Sequence, residues 1–156
     1  MNGLRSWMEA SKEAPMEKKV FDALSKRVEW EPYAQLLGLE LKKVDEGYSL
    51  VEMTIREEMK NIMGSTHGGA IFSLIDEAFE TASNSHGTIA VALNMNVTFI
   101  APPSPSAVLQ AEAREINLTP RTATYLINVT EGGDRLIATC QALVYRKKDM
   151  LPFLEE

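Results

Sequence analysis

A single cysteine, Cys140, and two histidines, His67 and His86, are all that this chain of 156 residues offers to thiolate or imidazole chemistry. One cysteine forms no intrachain disulfide and no thiolate zinc site, which fits a reducing cytoplasm. Two histidines are too few for most imidazole metal centres, so no metal site is expected. Positive charge is short as well. Sixteen Lys plus Arg stand against 22 Asp plus Glu, a net charge of −6, and the clustered cations that displace phosphate counterions from nucleic acid are missing. No stretch approaches the roughly 20 apolar residues that cross a bilayer, and the start, MNGLRSWMEASKEAPMEKK, has no continuous apolar segment of a signal peptide. The G-x-S-x-G, Walker, G-x-G-x-x-G and H-E-x-x-H motifs are absent. What remains reads as a soluble, cytoplasmic, unprocessed protein without a nucleic-acid or membrane partner. Its 45% apolar and 24% charged residues suit a globular domain.

Within residues 1–30, an N-terminal extension, Val20, Phe21, Leu24 and Val28 recur near helical spacing, with Asp22 and Lys26 as an i,i+4 pair. They predict a short amphipathic helix at 16–29. A single domain over 31–156 follows. Two β-prone runs, LLGLELKKVDEG and YSLVEMTI, form a hairpin around Asp45-Glu46-Gly47. From Ala70 to Ser83, Ile71, Phe72, Leu74, Ile75, Ala78, Phe79 and Ala82 cover a face broader than the stripe of a surface helix, which predicts an enclosed helix. Ser65 or Thr66 can cap it and His86-Gly87 can stop it. In TIAVALNMNVTFI every odd position from Ile89 to Phe99 is apolar, the pattern of a long half-buried strand. The prolines of APPSPS end that strand, and three more follow at 107–117, 122–130 and 134–146, the last two joined across Gly132-Gly133, with KKDMLPFLEE as a surface tail. Strands joined by short loops pair antiparallel. The predicted class is α+β, a curved antiparallel sheet of about six strands wrapped around one long central helix, plus a short N-terminal helix.

Cys140 sits in the alternating run Leu136, Ala138, Cys140, Ala142, Val144 and reads as a small core residue. The chemistry is carried instead by Asn61-x-x-Gly64-x-x-His67-Gly68-Gly69 and by Asp76 in the helix that follows. Glycine costs a helix about 1 kcal/mol relative to Ala, so the pair calls for a reason. Two are open: close passage of neighbouring chain, or access for a substrate oxygen to the unpaired N–H groups of the helix start, an oxyanion site. Asp76 borders the apolar arc, with Glu77 and Glu80 further round. It is a solvated residue or, if partly buried, a carboxylate of raised pKa able to act as base or nucleophile. Gly69 and Asp76 are seven residues apart, about 10 Å along a helix, whereas an attacking atom belongs within roughly 3–3.5 Å of a carbonyl held at the N–H groups. One helix cannot serve one carbonyl with both groups. Two helices packed antiparallel about a twofold axis can, so a working site is shared between subunits.

The segment HGGAIFSLIDEAFETASNSHG resembles hotdog-fold acyl-CoA thioesterases of the PaaI-like (phenylacetic acid degradation) type. Their pattern is Asn, His-Gly-Gly six residues on, and an acid nine after the His; Asn61, His67 and Asp76 fit it. LNMNVTFIAPP is similar to the family's strand and proline loop, Pro120-Arg121-Thr122 stands at its Gly-Arg-Thr, and the likeness spans residues 35–146. The resemblance implies a hydrolase that cleaves an acyl-CoA to free acid and CoA, with no cofactor beyond the CoA of the substrate. It implies that Gly68 and Gly69 polarise the carbonyl, the Gly69 N–H donating, and that Asn61 orients water or substrate. Asp76 of the partner subunit would be nucleophile or general base, and His67 would hold the loop and helix start. Phe72 would line the acyl pocket, Arg121 and Arg146 would meet CoA phosphates, and a homodimer, pairing into a homotetramer, would be the working unit. Three positions depart from the family: Ala92, where some relatives carry a hydroxyl, Ser106 for the loop glycine, and Pro120. The alternatives are a non-catalytic acyl-CoA-binding hotdog protein and a hotdog dehydratase, for which the expected sequence context is missing.

Overall fold

The computed structural model describes residues 18–154. The extension up to residue 15 and the first two residues of the predicted N-terminal helix lie outside that range. Within it, Val20, Leu24 and Val28 form the buried stripe of α1 (Lys18–Trp30), Phe21 is exposed, and Asp22 pairs with Lys18 rather than Lys26. A second helix follows at once. Pro32 occupies the first turn of α2 (Pro32–Leu37), Gly38 closes it with φ of 68°, and Arg56 donates to the carbonyls of Leu36 (2.8 Å) and Leu37 (3.0 Å).

The predicted hairpin is β1 (Leu39–Asp45) and β2 (Tyr48–Thr54). After a 3₁₀ turn at Glu57–Met59 come the central helix α3 (Gly68–Asn84) and four strands: β3 (Thr88–Phe99), β4 (Val108–Leu118), β5 (Thr122–Glu131) and β6 (Arg135–Met150). All pairings are antiparallel, in the order β1-β2-β4-β5-β6-β3. The sheet face under α3 is rich in alanine at its centre, with Ala111, Ala113, Ala123, Ala138 and Ala142 buried, and these short side chains let the helix sit close. Ile71, Leu74, Ile75, Ala78, Phe79 and Ala82 fill that seat, with the Phe79 and Tyr125 rings edge to face at 5.6 Å.

Three expectations change. The tail is surface only in part: β6 runs on to Met150 with residues 147–150 exposed, but Leu151 and Leu154 are buried against Val20 and Leu24 of α1. An apolar stripe on α1 needed a partner, and the end of the chain supplies it. The helix cap is neither Ser65 nor Thr66. Both are engaged in a tight loop, Ser65 through Asn61 and Thr66 through a bridge to Lys60, so the cap falls to His67. Finally, β3 does not keep one apolar face. A register shift between Ala92 and Asn94 leaves Leu93 as a bulge, after which Met95 and Val97 take the core-facing side that Ala90 holds before it. The strand is more open than half-buried, with Val91, Leu93 and Phe99 exposed, as is Ile100 just after it.

Candidate active site

The loop between β2 and α3 is tied by its own polar groups. Asn61 Oδ1 accepts from the Met63 N–H (2.9 Å) and the Ser65 N–H (3.1 Å), and the His67 N–H donates to the Met59 carbonyl (2.7 Å). Asn61 is thus an Asx-type organiser of this loop, and its amide group makes one long bond, 3.5 Å, to the Thr66 carbonyl. His67 Nδ1 accepts the Gly69 N–H at 2.8 Å, a pattern that places the ring proton on Nε2. The Gly69 amide therefore has an acceptor already. The Gly68 N–H has none among the described residues, and Gly68 lies in the wall of a cavity of about 310 Å³ with Thr66, Ile71, Phe99, Ile100 and Pro102.

The glycine pair is closely packed, against side chains rather than against neighbouring backbone. A Cβ on Gly69 would meet His67 Nδ1 at 2.9 Å, and one on Gly68 would meet the Phe99 ring at 3.3 Å. Ser73 Oγ donates to the Gly69 carbonyl (2.8 Å) and accepts from the Tyr33 hydroxyl (3.0 Å), which fastens the helix start to α2.

α3 is buried nearly all round. Its open stripe is Gly69, Phe72, Asp76 and Glu80, spaced as one helical face. Asp76 is half-buried, and burial raises its carboxyl above the usual range. Phe72 is exposed one turn before it. The separation of Asp76 from Gly68 along the axis is about 12 Å, so the structure keeps the two apart within one chain. Arg121 and Arg146 share one end of the sheet, where the Arg146 N–H donates to the Arg121 carbonyl. Arg146 also donates from Nη1 to the Thr119 carbonyl (2.8 Å), and the Arg121 guanidinium has no partner among the described residues. Arg146 pairs with Ala90, whereas Phe99, beside Gly68, pairs with Ala138. Eight residues of β6 make that about 26 Å. The arginines do not reach Gly68 of the same chain.

Cys140 is buried, and burial, reinforced by the charge of Asp76, pushes its thiol up to about 11, which leaves no thiolate nucleophile. Glu77, read from the sequence as lying on the outer side, is only 4% exposed, and its Oε1 has no hydrogen-bond partner among the described residues. The wheel of α3 alone could not reveal this, because the cover over Glu77 comes from the α1–α2 junction and the end of the chain.

A helix seated in one curved antiparallel sheet, opening on an uncommitted backbone amide and bearing a half-buried acid on its one open stripe, defines a hotdog-fold thioester hydrolase. The chain belongs to the thioesterase superfamily, whose pattern its residues 63–138 match, as a PaaI-like member. It is 38% identical over 142 residues, 91% of this chain and 90% of the relative, to a protein of Archaeoglobus fulgidus named as an esterase. It is 34% identical to the acyl-coenzyme A thioesterase PaaI of Escherichia coli, over 72% of this chain and 81% of that one. The solved structure of E. coli PaaI superposes with a TM-score of 0.82, covering 86% of this chain and 98% of that chain at 30% identity. A Thermus thermophilus protein, TT0310, does so at 0.72, covering 75% and 98% at 36% identity. No helix among the described residues is long and apolar enough to cross a membrane.

Proposed function

We propose that the protein hydrolyses acyl-CoA thioesters to a carboxylic acid and CoA, at sites that a second copy of the chain completes. The observation that carries this reading is Asp76, a carboxylate of raised pKa on the open stripe of α3, too far from its own Gly68 amide to share a carbonyl with it. Beside that stripe runs β3, which pairs with β6 alone and has its other edge unpaired. Joining two β3 edges antiparallel about a twofold axis covers the exposed Val91 and Leu93 and brings the second helix alongside the first with reversed direction. The partner's Asp76 then approaches this chain's Gly68. The same pairing sets the Ala90 end of one β3 beside the Phe99 end of the other, so the partner's Arg121 and Arg146 move towards the cavity from which their own chain holds them away.

In such a site the thioester oxygen takes the Gly68 N–H, with the positive end of α3 behind it. The Gly69 N–H joins only if His67 releases it. Asp76 either attacks the carbonyl carbon, giving an anhydride that water opens, or takes a proton from water as its oxygen attacks. In both cases the C–S bond breaks and the thiolate of CoA leaves. The second N–H of the Asn61 amide is available to orient the water. Phe72 flanks the acyl group.

Release of CoA from a panel of aryl and fatty acyl-CoAs tests the reading. Asp76→Ala should lower kcat by roughly 100-fold or more with an unchanged dichroism spectrum, and full activity in that variant would sink the mechanism. Co-expressing Asp76→Ala with Gly68→Val should restore part of the activity, because a mixed dimer holds one intact site; two inactive variants that stay inactive in a proven mixed dimer contradict a shared site. Tight binding of acyl-CoA without release of CoA would instead mark a binding protein.

A further inference from the structure

Three carboxylates meet close to Asp76, where α3 faces the α1–α2 junction. Glu31, between α1 and α2, and Glu77 and Glu80, on adjacent turns of α3, each present an oxygen, and these oxygens lie within 4.8 Å of one another. They line a cavity of about 360 Å³ that Leu24, Val28, Thr81, Asn84 and Ile89 help to close. Arg27 lines it too, with its guanidinium seated over the Phe153 ring at 4.9 Å.

Glu77 is the informative member. It is 96% buried, and its Oε1 finds no hydrogen bond among the described residues. Desolvation, then Glu31, Glu80 and Asp76, push its carboxyl up to about 8, and burial and Asp76 likewise raise Glu31. An ionised, unpartnered carboxylate buried there would cost several kcal/mol, which is why Glu77 holds its proton up to about pH 8, and native proteins seldom keep such a group without a use. Two more acids turned toward it make the cost greater, unless a cation joins them.

We propose that Glu31, Glu77 and Glu80 bind a divalent cation of calcium's size, pinning the α1–α2 junction to the central helix. The oxygens, within 4.8 Å of one another, are close enough to share one ion. Three protein carboxylates suit Ca²⁺, which takes about six to eight oxygens, better than Mg²⁺, which is usually held by one or two. Carboxylate oxygens are the ligands a hard cation prefers, and water in the cavity can fill the other positions. A site without His or Cys is invisible to a count of those residues. Because Glu31 lies outside the matched span 63–138 while Glu77 is next to Asp76, the ion would join the N-terminal helices to the acid-bearing turn of α3.

Chelator-treated full-length protein titrated with CaCl₂ by calorimetry should bind one ion per chain, with Kd between roughly 10 µM and 1 mM. Melting temperature should rise by roughly 5–10 °C at a calcium concentration about a hundred times Kd. Glu31→Gln and Glu77→Gln should each weaken binding by roughly tenfold or more, since affinity follows the number of charged ligands, and Glu40→Gln, on the outer hairpin, should not. No binding at 10 mM CaCl₂ (about ten times the weakest expected Kd), binding that Glu31→Gln and Glu77→Gln leave intact, or tighter binding of Mg²⁺ than of Ca²⁺ would each overturn the proposal. If Glu77→Gln fails to fold, Glu31→Gln and Glu80→Gln make the same comparison from the rim of the cluster.

Discussion

Ser106 is the one non-glycine residue in the left-handed region among those described, at φ of 57°, in the loop between β3 and β4. A side chain there costs about 1–2 kcal/mol, partly offset by the extra freedom glycine brings to the unfolded chain. Ser106→Gly should therefore raise stability by roughly 0.5–1 kcal/mol and Tm by about 1–4 °C, measured by thermal melting. Arg121 allows a second single-residue prediction. With no partner of its own, it is better placed than the committed Arg146 to meet a phosphate, so Arg121→Ala should raise KM for acyl-CoA with little change in kcat. At this scale the sequence disclosed which residues gather at the candidate site more readily than how they are bonded there. Asn61, His67, Gly68, Gly69 and Asp76 fall in one readable pattern. That His67 spends Nδ1 on the Gly69 amide, leaving Gly68 as the open donor, depends on a ring orientation that spacing does not encode.

Elements are held together by a few buried polar contacts. Beyond the end of α3, His86 Nε2 lies 2.6 Å from Glu115 of β4, which also accepts the Tyr125 hydroxyl of β5 at 2.7 Å. Burial alone would raise the Glu115 carboxyl, but the bonds from His86 and Tyr125 outweigh it and hold it below its ordinary 4.5. A folded pKa below the unfolded one gives stability that is fully present above 4.5 and is lost as pH falls through the lower, folded value. Tyr125→Phe should thus move the midpoint of acid unfolding to higher pH, as followed by dichroism. Element order was legible because each strand and the central helix carries its own periodicity and turn residues. What escaped did so for physical reasons. The six residues of α2 are too few to show a period, the bulge at Leu93 interrupts no apolar alternation in the sequence, and the contact of α1 with Leu151 and Leu154 joins opposite ends of the chain.

For the molecule as a whole, the proposed pairing along β3 would link assembly to turnover. Leu93→Lys places a charge on the open edge without entering the core, because Leu93 is already 58% exposed. It should shift the protein to monomer on size exclusion and remove activity while leaving the helix content intact. A monomer with full kcat would contradict the shared site. Wild-type specific activity should likewise fall on dilution below the dimer Kd.

The free edge of β3 has one more implication, for the time between synthesis and assembly. The outer edge of a twelve-residue strand, bearing exposed Val91, Leu93 and Phe99 and no charged side chain, is a template that another strand can extend. If two copies pair there as proposed, a newly made chain is in a race between finding its twin and aggregating. At low chain concentration the twin is rare, and a chaperone that masks extended apolar segments should raise the soluble yield more than any gain in the stability of the folded domain.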